Sequence, residues 1–490
     1  MHLRTFINIV TVLLLVQWQV RAQINGDLNT SSVSELDAIQ TPSGTWICSS
    51  MEIVPNLGFG YRVLIHRSID NGYNWTIMDS LEIYGDYIAI GDPVMSIDNE
   101  GNAYLLIMEY VEGSNFNLHL TLYVSEDEGQ NWDIKSQPYL GQKFADTPHL
   151  LIDTSNEFYI SYTEYNNSSV SPSFIHFIKS EDGGLNWTEP QIFESSQSED
   201  VVGANFNFSD GEQINLAYGD YSLPVTYFAS SEDFGVSWNQ TIELVNTLDL
   251  AVNKVISNKN HKTICILSHR AHDPTSGIHY NYSLDNGLSW NNYNLASNAS
   301  MAEGYMDDDG FIHITFNQFI GNEFKLNYIY SIDDGVTFSE PLTLFTAPSF
   351  IDFPLPFEII AGTGESQSMI YGNDNMFHLT FIDWSDFTKA KHLIFQPFNF
   401  ATSAQTPESN DAYNLSIFPN PAADFLKLNL TNPEQLSSWK INTIHGKTLI
   451  SGSFNSNKEL IINIGNLQTG TYLLSAESDN QVIVKKFLKI

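Results

Sequence analysis

The sequence predicts an all-β chain: a β-propeller of seven four-stranded blades, with six the alternative, followed by a small β-sandwich. Three observations predict it. First, the pattern Ser-x-Asp-x-Gly-x-x-aromatic recurs six times about fifty residues apart, beginning at Ser68, Ser125, Ser180, Ser231, Ser283 and Ser331. Second, the runs between copies read as short strands, and some, such as AYLLIM, are apolar at every position, as a strand buried on both faces must be. Third, the repeat stops before residue 401, and a different set of alternating strands fills the tail. A period of this length made of short strands reads as a propeller, because one such sheet cannot bury its faces alone and must stack on its neighbours.

The repeat has the chemistry of a tight turn. Each copy supplies an Asp (Asp70, Asp127, Asp182, Asp233, Asp285, Asp333) that can accept hydrogen bonds from turn N–H groups. Each then supplies a Gly (Gly72, Gly129, Gly184, Gly235, Gly287, Gly335) suited to positive φ. A ring follows to pin the turn against the sheet: Trp75, Trp132, Trp187, Trp238, Trp290 and Phe338. The six segments SIDNGYNW, SEDEGQNW, SEDGGLNW, SEDFGVSW, SLDNGLSW and SIDDGVTF resemble Asp boxes, the bacterial neuraminidase repeats of sialidase-like propellers. That resemblance implies that the boxes sit at outer turns, away from any active site, and that their aspartates are structural.

Each repeat parses as an inner hairpin, a third strand, the box and an outer strand. The first blade is expected between about Ala38 and Leu81, where TPSGTWICSS and YRVLIHR precede the first box. The second reads VMSIDNEGNAYLLIMEY then NLHLTLYV, and the third HLLIDTSNEFYISYTEY then FIHFIKS. The fourth reads NFNFSDGEQINLAYGDY then VTYFASS, and the fifth NKVISNKNHKTICILSHR then GIHYNYS. In the sixth, EGYMDDDGFIHITFNQ is followed by FKLNYIYS. Beyond it, SMIYGNDNMFHLTFIDW and KHLIFQPF form a further hairpin and third strand with no box. That segment is either a seventh blade or, in a six-bladed ring, the completion of the first blade or an edge strand.

Residues 1–22 read as a secretory signal peptide, with Arg4, an apolar run from Ile9 to Val16, and Val20-Arg21-Ala22 before the cleavage point. The run is too short to span a bilayer, and no later segment is long and apolar enough to do so. Cys48 and Cys265 fall in what read as inner strands of the first and fifth repeats, too far apart to pair, so two buried free thiols are expected. The chain carries 21 Lys and Arg against 57 Asp and Glu, a net charge of −36. Residues 23–411 hold 12 of the bases and 52 of the acids, and the tail from Ala412 holds 7 bases and 5 acids. So negative a body excludes nucleic acid and anionic membrane as partners, since phosphate binding needs clustered Lys and Arg. It suits an extracellular surface and admits structural Ca²⁺.

A polar linker, 401–411, separates the propeller, 23–400, from the tail, 412–490. Alternating strands over the tail predict a small β-sandwich. IFPNPAAD (Ile417 to Asp424), the turn from Leu467 to Tyr472 and the terminal Lys485 to Lys489 resemble the C-terminal sorting domain of the type IX secretion system of Bacteroidetes-type bacteria. That resemblance implies export to the periplasm, then passage across the outer membrane through the type IX machinery, with the product released or attached at the cell surface.

Sialidases, which the boxes bring to mind by resemblance, hold the substrate carboxylate with three arginines beside a Tyr nucleophile, its Glu and an Asp acid/base. After residue 22 this chain has three arginines in all, Arg62, Arg67 and Arg270. Arg62 and Arg67 are five apart on one expected strand, which sends them to opposite faces. Arg67 also abuts a box, so Arg270 is read as the single arginine at the pocket end. That end is the one opposite the boxes. Loops leading into the blades bring Asp92, Asp146, Glu199, Asp200, Glu303 and Asp352 there, and the loops between second and third strands bring Glu109, Glu164, Asp220 and Asp383. Asp92, Asp146, Asp200 and Glu303 are the candidate catalytic acids, because crowded carboxyls raise one another's pKa for acid/base work; they could equally bind Ca²⁺ or sugar hydroxyls. His269, Arg270, His272 and Asp273, clustered in one loop, are the candidate ligand contacts. The expected function is capture of an extracellular glycan or protein. The alternatives are an exo-acting glycoside hydrolase related to sialidases and a structural or adhesive surface protein.

Overall fold

The computed structural model describes residues 22–28, 30, 33–53, 61–81, 87–111, 118–140, 143–165, 172–194, 200–220, 222–248, 251–270, 273, 275–348, 367–383, 389–395, 415–418, 422, 425–430, 438–443, 448–454, 459–468, 470–477 and 482–489. The expected leader up to Arg21 and the linker 401–411 lie outside them. Among the described residues no helix is long and apolar enough to cross a membrane.

The body contains seven four-stranded antiparallel sheets among the described residues. Sheets 1 to 6 each take four consecutive strands; in sheet 1 these are Val33–Gln40, Trp46–Ile53, Tyr61–Ser68 and Thr76–Leu81, and the strands of sheets 2 to 6 run from Tyr87 to Tyr139, Phe144 to Phe193, Val201 to Val245, Ala251 to Ala296 and Ala299 to Pro348 in turn. Sheet 1 thus starts at Val33, five residues before the expected Ala38. The inner strands touch in a ring that runs from sheet 1 through sheet 7 and back to sheet 1.

Sheet 7 is made differently. Gln367–Tyr371, Phe377–Ile382 and Ala390–Phe395 supply three strands, and the outer one is Ala22–Asp27 from the start of the described chain. Its register runs Ala22 to Phe395 through Asp27 to Lys391, with the Lys391 ammonium 3.0 Å from the Asp27 carboxylate. A box is the turn joining a third strand to an outer strand. In sheet 7 no such turn exists, which is why the seventh repeat has none.

The core follows from stacking. Its apolar clusters lie between neighbouring sheets; one, for instance, packs Leu106, Leu120 and Leu122 of sheet 2 on Leu150, Phe158 and Ile160 of sheet 3. At the closing seam Leu28, Trp46 and Trp75 meet Ile382 and Ala390. Cys48 and Cys265 are free and buried as expected, although both stand on second strands, Trp46–Ile53 and Ile264–Arg270, not on inner ones.

The boxes show why their residues recur. In the first, the Ser68 hydroxyl donates to Asp70 Oδ1 (2.8 Å) and accepts from Gly72 N–H (2.9 Å), while Asp70 accepts from the Asn74 backbone (2.8 Å) and side-chain amide (2.6 Å). The third repeats it through Ser180, Asp182, Gly184 and Asn186, and hydrogen bonds led by the Asn186 side chain hold the Asp182 carboxyl down to about 2. Each box glycine has φ near +80° and faces the preceding sheet: Gly129 meets Ile47, Gly235 meets Phe177, and Gly72 meets His392 of sheet 7. The turn motif is therefore also an inter-sheet contact. Arg67 strengthens one such contact by donating to the backbone and carboxylate of Glu128 in the second box.

The closing seam buries a proton-ordered chain. Asp374 accepts from His378 Nε2 (3.1 Å), His378 Nδ1 meets His392 Nε2 (3.0 Å), and His392 Nδ1 meets the Thr380 hydroxyl (3.1 Å). Trp46 stacks on His378 with centroids 4.1 Å apart. Burial, then the neighbouring His378, lowers His392 to about 3 from an ordinary 6.5, and burial lowers His66 of sheet 1 to about 4. The unfolded chain therefore takes up these protons first. Stability from the neutral rings is complete above about pH 6.5 and is lost as pH falls toward 3, whereas the buried carboxyls raised in the inner ring act in the opposite sense; the histidine share is therefore read as a difference, and between pH 7 and pH 4 His392→Gln should lose about 3 kcal/mol less in urea denaturation than the unchanged chain.

The tail forms two sheets, one of three strands built on Phe425–Leu430 and one of four built on Ser438–Thr443 and Gly470–Glu477. Leu426, Leu428 and Ile462 of the first pack against Trp439, Ile441, Leu474 and Phe487 of the second, which makes the expected sandwich.

Candidate functional site

The inner strands position the acids by a shared irregularity. Pairing with the second strand slips between Gly91 and Val94, Asp146 and His149, Val202 and Asn205, and Ser300 and Glu303. At each slip one residue takes positive φ: Asp92 (48°), Thr147 (46°), Gly203 (64°) and Met301 (55°). Bulges of this kind re-aim side chains, and a β-branched Thr in that region is strained, which marks a place where other contacts over-determine the backbone. The slips lie toward the N-terminal ends of the inner strands, opposite the boxes.

Two of the four candidate acids converge. Asp92 and Asp146 stand close enough to perturb each other, with Glu35 beside Asp92 and Tyr165 beside Asp146. Thr147 N–H donates to both carboxyls at 3.1 Å. Burial pushes Asp92 well above the usual carboxylate range, with the Glu35 charge the next cause; burial and then the Asp92 charge do the same to Asp146. Glu35, Asp92, Thr147, Asn205 and Asn253 line a cavity of about 470 Å³, including the space at its mouth.

Glu303 belongs to a second group. Its carboxylate lies 2.9 Å from Lys254 Nζ. Burial raises Glu303 and Asp37, and Lys254 pulls each back in part. Asp37 accepts from Met95 N–H of sheet 2 (2.8 Å) and from the Ser368 hydroxyl of sheet 7 (2.9 Å), so it ties the sheets on either side of sheet 1 at the inner ring. Asp92, Asp146 and Glu303, expected in loops leading into the blades, stand instead within the inner strands Tyr87–Ile97, Phe144–Ile152 and Ala299–Met306, and the missed Glu35, Asp37 and Lys254 stand on the inner strands Val33–Gln40 and Ala251–Ser257. The signal that could have found them is the repeated register of Asp92-Pro93 and Thr147-Pro148, which marks the bulges.

The other predicted residues are placed elsewhere. Asp200 forms a backbone bridge to Ser173 at the start of the third strand of sheet 3. Glu109 accepts from the Thr121 and Tyr123 hydroxyls, Glu164 from Lys143 and Tyr139 (both 2.7 Å), and Asp220 from Ser222 and Leu223 N–H (both 3.0 Å). Asp383 lies 3.6 Å from Lys391. His269 is buried, and exposed Arg270 lies 4.0 Å from Asp273, which organises its own turn by accepting from Thr275 N–H and hydroxyl. His272, Glu199 and Asp352 lie outside the described residues. Arg270 is not the single arginine at this end, since Arg62 opens the third strand of sheet 1 there and pairs with buried Glu52 at 2.9 Å. Among the described residues no group of three or more His, Cys, Asp or Glu side chains is arranged to hold a metal ion.

Residues 416–490 match the family described as the secretion system C-terminal sorting domain. The chain is thus exported by the type IX route to an extracellular or cell-surface location. No curated protein matches the chain. Among solved structures, it is similar to a Penicillium chrysogenum alpha-L-arabinanase complexed with arabinobiose (12% identity, 77% of this chain and 98% of that one, TM-score 0.47). It is also similar to a Hadza microbial sialidase (12%, 77% and 91%, 0.42) and to a PL25 ulvan lyase (13%, 76% and 96%, 0.49).

Proposed function

We propose that the exported propeller captures an extracellular glycan at the pocket end of its ring, through the Asp92–Asp146 pair and its neighbours, without cleaving it. The observation that carries this reading is the shared donor: Thr147 N–H lies 3.1 Å from a carboxyl oxygen of each, so one backbone group holds the two acids as a close pair. A glycosidase needs its acids about 5–5.5 Å apart to attack a sugar covalently, or about 6.5–9.5 Å apart to admit a water. Two acids clamped on one backbone N–H form a tighter pair than either spacing asks for. The pair offers acceptors to sugar hydroxyls, and Thr147 and Asn205 beside it offer donors as well, which suits binding.

One feature favours the glycoside hydrolase as second reading: burial pushes both carboxyls upward, the direction a general acid needs. A glycan array run beside hydrolysis of sialyl and neutral aryl-glycosides by the secreted chain separates the two. The expected result is retention of one glycan class with no turnover, weakened in Asp146→Asn. Turnover abolished by Asp92→Asn or Asp146→Asn would overturn the proposal in favour of the hydrolase, and loss of neither binding nor turnover would remove the pair from the site.

A further inference from the structure

The inner ring holds two groups of buried carboxyls, and only one of them comes with its own cation. Lys254 Nζ lies 2.9 Å from Glu303, and its charge pulls Glu303 and Asp37 back against the burial that raises them. Asp92 and Asp146 have no such neighbour. What acts on them is burial, the Glu35 carboxyl, each other, Thr147 N–H and Tyr165. The 12 lysines and arginines of residues 23–411 all lie among the described residues, and none of them pairs with either carboxyl. His149, three positions after Asp146, does not substitute for one, because burial and then Lys254 lower it to about 3 and leave it uncharged at neutral pH.

Crowded carboxyls without a counter-charge are costly to bury, and a ligand that brings a cation relieves them. Asp92 and Glu35 both line the cavity, so such a ligand has a way in. The carboxyls are not arranged to hold a metal ion. An ammonium group suits them better, being the group that Lys254 supplies to Glu303, with three donors on one compact charge. Its carrier must also offer hydroxyls to Thr147, Asn205 and Asn253 and C–H surface to Val94, Pro148 and Val252, which line the same cavity. A sugar ring has both.

We infer that the glycan captured at this site carries a free amine, an amino sugar of the 2-amino-2-deoxyhexose class, whose ammonium is held by Asp92 and Glu35 with Asp146 fixed beside Asp92 on the shared Thr147 N–H. The inference rests on the glycan-binding reading and narrows it. The same carboxyls repel carboxylated and sulfated sugars, so the site selects by charge in both directions.

Isothermal titration of the secreted chain just below neutral pH tests it, with glucosamine oligomers, their N-acetylated counterparts, glucuronic acid and Nα-acetyl-lysine amide as probes. The amine form should bind about tenfold or more tighter than the N-acetylated form, and glucuronic acid should not bind. In Asp92→Asn that preference should fall to about threefold or less. Asn tolerates the positive φ of 48° at this position, so the variant should melt no lower than the unchanged chain. Val252→Lys, which places an ammonium of the chain's own on the cavity wall, should weaken the amine form more than Val252→Met does. Equal binding of amine and N-acetylated forms, weakened alike in Asp146→Asn, overturns the inference and leaves the proposed function standing. Binding of no sugar overturns both. An amine preference unchanged in Asp92→Asn overturns the inference by placing the ammonium elsewhere, and tighter binding of Nα-acetyl-lysine amide than of glucosamine oligomers overturns it in favour of a basic peptide.

Discussion

Replacing Gly335 by alanine should destabilise the protein by about 2–5 kcal/mol, whereas the same change at Gly183, in another box, should cost only about 1–2 kcal/mol. Both glycines have positive φ, 82° and 72°. An added Cβ at Gly183 meets nothing within 4 Å, so only the backbone conformation resists it. At Gly335 the Cβ would overlap the Tyr280 hydroxyl and come within 2.9 Å of Ile312 Cδ1 and 3.2 Å of Cys265 Sγ. Tyr280 cannot yield easily. It is fully buried, and its hydroxyl donates to Gly335 C=O at 3.1 Å and lies 2.9 Å from Cys265 Sγ. Chemical denaturation of the two variants checks the contrast directly. Equal losses would mean that the box glycine serves the turn alone and not the seam between sheets.

Removing residues 23–28 should be as damaging, on the order of 5 kcal/mol, because it deletes the outer strand of sheet 7 and with it the closure of the ring. The strand supplies a run of backbone pairs to Ala390–Phe395, and Leu28 N–H donates to Ala390 C=O at 3.1 Å. Leu28 is fully buried against Trp46, Trp75 and Ala390. The truncated chain should unfold at lower temperature and exchange its sheet 7 amides fastest. A melting temperature within a degree or two of the intact chain would show that the seam is held by Trp46, His378 and His392 without the strand.

Much of this architecture is legible in the residues. Six boxes place six outer turns, since the hydrogen bonds that Ser and Asp make at fixed spacing lie within each turn; that the box glycine also packs on the preceding sheet is visible only in the fold. The inner hairpins follow for the same reason. The site is less legible. Asp92 and Asp146 are visible as acids of loops near the axis, but Glu35, which completes the chain of carboxyls, lies on a strand 57 residues before Asp92 and looks like any polar position of an alternating pattern.

By itself the chain's sequence determined whatever is decided within one repeat or one module: the box turns, the strand order of each sheet, the negative body, and a trailing sandwich that directs export. Tertiary structure alone decided how the ring shuts. The strand that completes sheet 7 is contributed by residues 22–27, more than 360 positions away from its partner, and Asp37 joins Met95 to Ser368 across a comparable gap. Local hydrogen bonds and side-chain periodicity are written in neighbouring residues. A pairing between chain ends is chosen by which exposed edge remains after every local sheet has formed, and that edge exists only in three dimensions.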